Sequence, residues 1–225
     1  MELADFAPKL NLLRARIEAG LERPVVLAVT SARRDDGKSL VSYGLSCSLA
    51  EADYKVLFVD ASQYGHHVTE NSAPKISDHP EFDVRTYVAP GKEGAPDTLG
   101  LSGPGITASG SVDAVRATFE RFRETYEYTV IDMSVLTTSS LALLFAAVAD
   151  GVIVTVREAR SISNADKEVS NLLRTAGANF IGAVTADSSA IRGFRAAMKR
   201  HGAFSKMQFP QEDARKSGAR VSVQS

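Results

Sequence analysis

Apolar residues recur along the chain in two rhythms. Leu3, Phe6, Leu10, Leu13, Ile17 and Leu21 fall three and four apart, the spacing that lines one face of a helix. Pro8 is the one possible interruption, and Pro24 ends the pattern. Val25–Thr30 (VVLAVT) is instead a continuous β-rich run, as in a parallel strand buried on both faces. A polar loop follows, then a helical stretch from about Lys38 to Ala52, then a second apolar strand, Lys55–Asp60. From Ala61 to Gly110 neither rhythm holds. Gly, Pro, Ser and His are frequent there, PGKEGAP and SGPG read as loop, and a short strand is expected over Asp83–Val88. An irregular stretch this long is functional or disordered.

Periodicity returns at Ser111, where Val112, Val115, Phe119 and Phe122 mark a helix face. Strands are predicted at Tyr128–Asp132, Gly151–Val156 and Phe180–Thr185, and helices at Thr138–Val148, Ser161–Ala176 and Ile191–Arg200. Gly177 suits a helix C-terminus. Alternating helices and wholly apolar strands predict an α/β fold whose mostly parallel sheet is covered by helices on both faces. Ligands in such sheets bind at the carboxyl ends of the strands. That singles out Ser31–Ser39, Asp60–Ser62, Asp132–Ser134, Arg157–Ala159 and Thr185–Asp187. The expected organisation is an N-terminal helix (1–23), a main domain (24–203) and a basic, disordered tail (204–225).

Composition narrows this picture. With 225 residues, 44% of them hydrophobic, and a net charge of −1, the chain suits one globular domain and shows no global field for nucleic acid. No apolar run approaches the ~18 residues of a membrane span, and MELADFAPKL lacks a signal-peptide pattern. The single cysteine, Cys47, fits a reducing compartment and a core position. A cytoplasmic protein is expected, peripheral to the inner membrane only through a partner or a surface helix. From Ile191 onward eight Lys or Arg stand against two acidic residues. Ile191, Phe194 and Met198 lie at helical spacing among Arg192, Arg195, Lys199 and Arg200. This is either a basic membrane-surface helix or a final helix packed on the sheet, and packing is preferred. His66, His67 and His79 are read as solvated loop, since nothing near them has metal-ligand spacing.

The chemistry concentrates in ARRDDGKS, residues Ala32–Ser39, a loop directly after a strand and opening a helix. Backbone N–H groups of such a loop, here from Ala32, Arg33, Asp36, Gly37 and on to Leu40, point at phosphate oxygens. Lys38 would bridge the β and γ phosphates, and Ser39 would place its hydroxyl on Mg²⁺. The helix N-terminus adds positive potential. Asp35 and Asp36 beside a polyphosphate weaken binding unless they face away or pair with arginine. Two further carboxylates, Asp60 and Asp132, end buried strands on the same edge. Asp132 suits the outer-sphere hold on Mg²⁺. Asp60 could hold the ion or orient a nucleophile. Asp187, after the last strand, could contact the base.

At these residues a resemblance is visible. VVLAVTSARRDDGKSLVSYGLSCSLAEADYKVLFVDAS, YEYTVIDMS, ADGVIVTVREARS and GANFIGAVTAD together resemble the bacterial tyrosine kinases of capsule and exopolysaccharide synthesis, within the MinD/ParA class of P-loop ATPases. The resemblance implies a three-layer P-loop NTPase fold and ATP or ADP with Mg²⁺ as cofactor. It implies Lys38 on the phosphates, Ser39 and Asp132 on the metal, and Asp60 assisting the nucleophile. The implied partners are a membrane-embedded chain-length or export protein and further copies of the chain. Several positions depart from the family. Ser62 replaces the second Asp of Walker A′, and Met133-Ser134-Val135 replaces Thr-Pro-Pro. Ala186 stands where an Asn reads adenine. Pro8, Asn11 and Arg14 stand where Glu-x-x-Arg-x-x-Arg assembles rings, and no tyrosine follows Tyr128. A divergent nucleotide-binding regulator with weak or lost kinase activity is therefore expected. The alternatives are an active Mg²⁺-dependent ATPase or kinase switch, or a ParA/MinD-like positioning ATPase on DNA or membrane.

Overall fold

The computed structural model describes residues 6–62, 84–92, 94–101 and 111–201. In chain order these form α1 (Ala7–Gly20), β1 (Val25–Ser31), α2 (Lys38–Ala50), β2 (Val56–Ala61), a 3₁₀ turn (Val84–Tyr87) and β3 (Asp97–Gly100). Then come α3 (Val112–Arg123), β4 (Tyr128–Met133), a 3₁₀ turn (Leu136–Thr138), α4 (Ser140–Val148), β5 (Gly151–Arg157), α5 (Asn164–Thr175), β6 (Phe180–Ala186) and α6 (Ser188–His201). The strands make one sheet in the order β3-β2-β4-β1-β5-β6, parallel throughout. The expected α/β fold, with helices on both faces, is what forms.

The pleat divides each strand between two cores. Val25, Leu27 and Val29 of β1 pack with Leu10 and Ile17 of α1, Leu45 and Leu49 of α2 and Phe194 of α6. Val26 and Ala28 face the other way, onto Val115 and Phe119 of α3, Phe145 of α4 and Leu173 of α5. Both faces of β1 are covered, so its burial is unbroken. That is why the strand reads as a continuous apolar run rather than an alternating one.

Local chemistry sets the helix ends. Pro8 falls in the first turn of α1, where its missing N–H costs nothing, so α1 is not interrupted. Ser111 caps α3 by accepting from the Ala114 N–H at 3.1 Å. Ser163 and Asp166 form a capping box at the start of α5, which moves that start from the expected Ser161 to Asn164. Gly177 ends α5 at φ +67°.

Two expectations need correction. In place of the strand expected over Asp83–Val88, Val84–Tyr87 is a 3₁₀ turn. The edge of β2 is taken instead by Asp97–Gly100, in register Leu57↔Asp97 to Asp60↔Gly100. This strand lies within the stretch read as loop. It has four residues, and its chain-side neighbours Pro96 and Gly91 mimic a turn signature. What fixes it is not local: Leu99 and Thr98 are fully buried, and Tyr126 donates to Asp97 at 2.9 Å. The basic final helix packs on the sheet, with Ile191, Phe194 and Met198 all buried, as preferred. Cys47 is buried and free. Among the described residues no helix is long and apolar enough to cross a membrane. His66, His67, His79 and the tail 204–225 lie outside the described residues.

Candidate functional site

Parallel register brings the site together. β2 and β4 are neighbours, and Asp60 stands opposite Asp132. Asp132 also stands opposite Val29 of β1, two residues before that strand ends at Ser31. Period-two alternation places both carboxylates on the side of Phe58 and Val130, the side on which α2 lies. The two aspartates and the helix opened by Lys38 therefore meet at one edge and one face.

The loop between β1 and α2 bends at Gly37, whose φ is +90°. A Cβ there would lie 2.8 Å from Ala186 Cβ and 3.2 Å from Ile191, so only glycine satisfies both the backbone and the space. Ala186 is fully buried behind the loop. The position at which the resemblance places a base-reading Asn is thus part of the packing beneath Gly37.

Lys38 is 7% exposed. Among the described residues its Nζ makes one hydrogen bond, donating to Ser31 Oγ at 3.3 Å. Ser31 in turn donates to the Arg33 carbonyl at 2.5 Å. Burial pulls the ammonium below its usual range, opposed by the charges of Asp132, Asp36 and Asp35. A buried cation with three donors and one bond has capacity for an anion.

Ser39 Oγ donates to Asp132 Oδ2 at 2.5 Å. The other oxygen, Asp132 Oδ1, is buried with no hydrogen-bond partner. Burial, with the nearby Asp60 charge, pushes this carboxyl up to about 7, against Lys38 and Ser39, which favour ionisation. Asp60 is 1% exposed, and its Oδ1 accepts from both N–H and Oγ of Ser62, at 3.0 and 2.7 Å. Ser62, where the family has a second Asp, orients the first one here. The oxygens of Ser39, Asp60 and Asp132 fit a hard divalent cation. An orphaned buried carboxylate oxygen is what such an ion would satisfy. No group of three or more His, Cys, Asp or Glu among the described residues could hold a metal by itself. Mg²⁺ commonly binds through one or two carboxylates, with water and phosphate completing its shell.

The loop carboxylates are matched by arginines from other elements. Asp35 ion-pairs with Arg195 of α6, which holds its carboxyl below the usual range. The Asp35 carbonyl accepts from Arg157 Nε and Nη2 at 3.2 and 2.5 Å. Asp36 is 1% exposed and pairs with Arg160 at 3.2 Å. Burial still pushes this carboxyl up. The repulsion expected from ARRDD is thus offset by Arg195, Arg157 and Arg160 from other elements, with Arg33 adding a favourable charge toward Asp36. The sequence offered a partial signal: Arg157 lies in a strand-end window, and Arg160 just beyond it.

The remaining positions are placed plainly. Ala32 is buried beside Leu57 and Ile131 of the second core, and Leu40 joins the first. Asp187 caps α6, its Oδ1 accepting from Ser189 N, Ser189 Oγ and Ala190 N. Its Oδ2 is buried without a partner. Arg14 donates to the Ser48 carbonyl at 2.6 Å, and Asn11 accepts from Ser48 Oγ at 2.7 Å. Both residues tie α1 to α2.

No protein-family model matches the sequence. The chain is 23% identical over 189 residues to the tyrosine-protein kinase CpsD of Streptococcus agalactiae, covering 77% of this chain and 80% of that one. Among solved structures, it resembles the kinase domain of the Escherichia coli tyrosine kinase ETK with a TM-score of 0.68. That match has 20% identity and covers 80% of this chain and 75% of the other. It also resembles the MinD cell division protein of Aquifex aeolicus, with a TM-score of 0.56, 18% identity, and 72% and 68% of the two chains covered. The chain is a distant homologue of the bacterial tyrosine kinases, built on the MinD/ParA-like P-loop fold.

Proposed function

We propose that this protein binds a nucleoside di- or triphosphate with Mg²⁺ in the loop Ala32–Ser39. The observation that carries the reading is the pair of unmet demands at one edge: the singly bonded buried ammonium of Lys38 and the unpartnered Asp132 Oδ1. An anion answers the first and a cation the second. A magnesium–phosphate group supplies both, and the ion would screen the polyphosphate charge. Gly37, Lys38, Ser39 and Leu40 at the start of α2 would cradle the phosphates, and Ser39, Asp60 and Asp132 would hold the ion directly or through water. Asp187 stands where it could border the base. A solved relative by fold is described as the Cyanothece McdA–ATP complex, which supports the same ligand class.

On this reading the protein is a divergent relative of the polysaccharide-synthesis kinases that regulates by its nucleotide state, with weak or lost tyrosine phosphorylation. Ala186 is packed beneath Gly37, and Arg14 is engaged within the protomer. Both support divergence in base contact and in assembly. Asp60, held by Ser62, supports the second reading of an active ATPase switch. The burial of Ile191, Phe194 and Met198 argues against a membrane-binding role for α6. The deciding experiment is ATP turnover and phosphotyrosine formation by the purified chain, with Lys38→Ala as background. Phosphotyrosine at the background level, with nucleotide bound, is the expected result. Strong Lys38-dependent phosphorylation would establish an active kinase instead.

A further inference from the structure

The phosphate loop is held from outside by a polar clamp that the nucleotide reading does not require. Asp36 is 1% exposed, deep for a carboxylate, and lies next to Gly37. Its partner Arg160 follows β5, and the Arg160 side chain is 12% exposed. Arg160 is fixed in turn: Nη1 and Nη2 donate to the two Asp166 oxygens at 2.8 and 2.6 Å. Asp166 is the carboxylate of the α5 capping box, accepting from Ser163 N and Oγ at 2.7 Å each. The turn carrying Arg160 is itself unusual. Ala159 sits at φ +59°, left-handed backbone that a non-glycine residue adopts only when its surroundings demand it. The same turn contributes Arg157, whose guanidinium grips the Asp35 carbonyl.

On the nucleotide reading above, we propose that Arg160 is a positioning residue. It links the N-terminus of α5 to Asp36 and holds residues 33–37 in the conformation that receives phosphate. Two features favour this over a role in capping α5 alone. The capping box is complete without Arg160: the Ser163 side chain accepts from the Asp166 N–H, and the Asp166 carboxylate accepts from the Ser163 N–H. And a guanidinium already paired bidentately with Asp166 is stationed to offer a further N–H to Asp36 at 3.2 Å. A planar guanidinium can serve both carboxylates at once, which an ammonium cannot do in the same geometry. Movement at the start of α5 would therefore reach the phosphate loop through one side chain.

The test compares wild type, Arg160→Gln, Asp36→Asn, the double variant, Arg160→Lys and Asp166→Asn. Two quantities are read: amide hydrogen exchange across residues 32–40 without nucleotide, and MgADP affinity by calorimetry. Thermal unfolding serves as the fold control. Arg160→Gln and Asp36→Asn should each speed loop exchange about tenfold or more and weaken MgADP about tenfold. The double variant should be no worse than the more affected single, because both remove one contact. Arg160→Lys should recover only part of the loss. If Arg160→Gln unfolds, Asp36→Asn alone carries the comparison. Unchanged loop exchange in a folded Asp36→Asn or Arg160→Gln would overturn the proposal. So would additive losses in the double, whereas Asp166→Asn, which frees Arg160 from α5, should loosen the loop in the same direction. Should wild type bind no MgADP, the nucleotide reading falls, while the exchange data still decide whether Arg160 orders the loop.

Discussion

Asp132 shows how much one residue can concentrate. Its carboxyl is buried, faces Asp60 and is pushed up to about 7. The folded protein therefore holds a proton there that the unfolded chain, titrating near ~3.9, releases. A raised folded pKa contributes stability below the unfolded value and loses it as pH rises through the folded value. Without ligand, wild type should accordingly lose more thermal stability than Asp132→Asn between about pH 4 and 7, measured by calorimetry at matched ionic strength. Mg²⁺ competes with the same proton, so metal-dependent nucleotide binding should strengthen over that range in wild type and be weak throughout in Asp132→Asn. Gly37→Ala should cost about 1–3 kcal/mol from the positive φ, with further loss from the Ala186 contact. Chemical denaturation would show it. At this scale the residues of GKS, Asp60 and Asp132 were legible because strand ends and loop spacing fix where they go. Ser62's hold on Asp60, the three arginines on the loop and the burial of Ala186 were not. The first is a local turn that spacing does not announce; the arginines and Ala186 depend on elements distant in sequence, and composition does not encode the meeting.

Among the elements, α6 is the most informative. From sequence, a basic amphipathic helix reads as a surface helix or, as preferred here, as a core helix with a solvated basic face, because Ile191, Phe194 and Met198 serve either. The structure places all three in one core with Tyr43 and Phe58, and the rings of Tyr43 and Phe194 lie 6.5 Å apart. Phe194→Ala should therefore destabilise the fold by about 3–5 kcal/mol, seen as a lower urea midpoint with an unchanged slope. A surface helix would give close to zero. β3 marks where sequence reading failed. Four residues carry too little pattern to be distinguished from loop, and the open edge of β2 selects them. Asp83–Val88 shows the converse: its alternation suggests a strand, yet Val84–Tyr87 forms a 3₁₀ turn that Arg85 ties to Glu124 of the α3 C-cap at 2.8 Å. Strand patterning needs a free edge as well as alternation.

Across the whole molecule, the order β3-β2-β4-β1-β5-β6 explains why a site forms at all. Chain direction along the sheet reverses about β1 and β4, and the connections leaving them part to opposite sides, the arrangement at whose carboxyl edge a ligand crevice is expected. The loop after β1 and the aspartates of β2 and β4 border that crevice. The fold class was readable from the alternation of apolar strands with helices, because a parallel sheet covered on both faces imposes that pattern. Ligand identity was not, because it resides in a few polar atoms rather than in the layers. A ligand bound only by the folded state raises stability in proportion to the logarithm of its concentration. MgADP should therefore raise the unfolding temperature of wild type progressively, and leave Lys38→Ala unmoved. The most direct test is calorimetric titration of ADP into wild type and Lys38→Ala, each with and without Mg²⁺. Binding tighter than millimolar in wild type, weakened without Mg²⁺ and abolished in a folded Lys38→Ala, is the predicted result. No binding to wild type at millimolar nucleotide, or equal binding by Lys38→Ala, would contradict it.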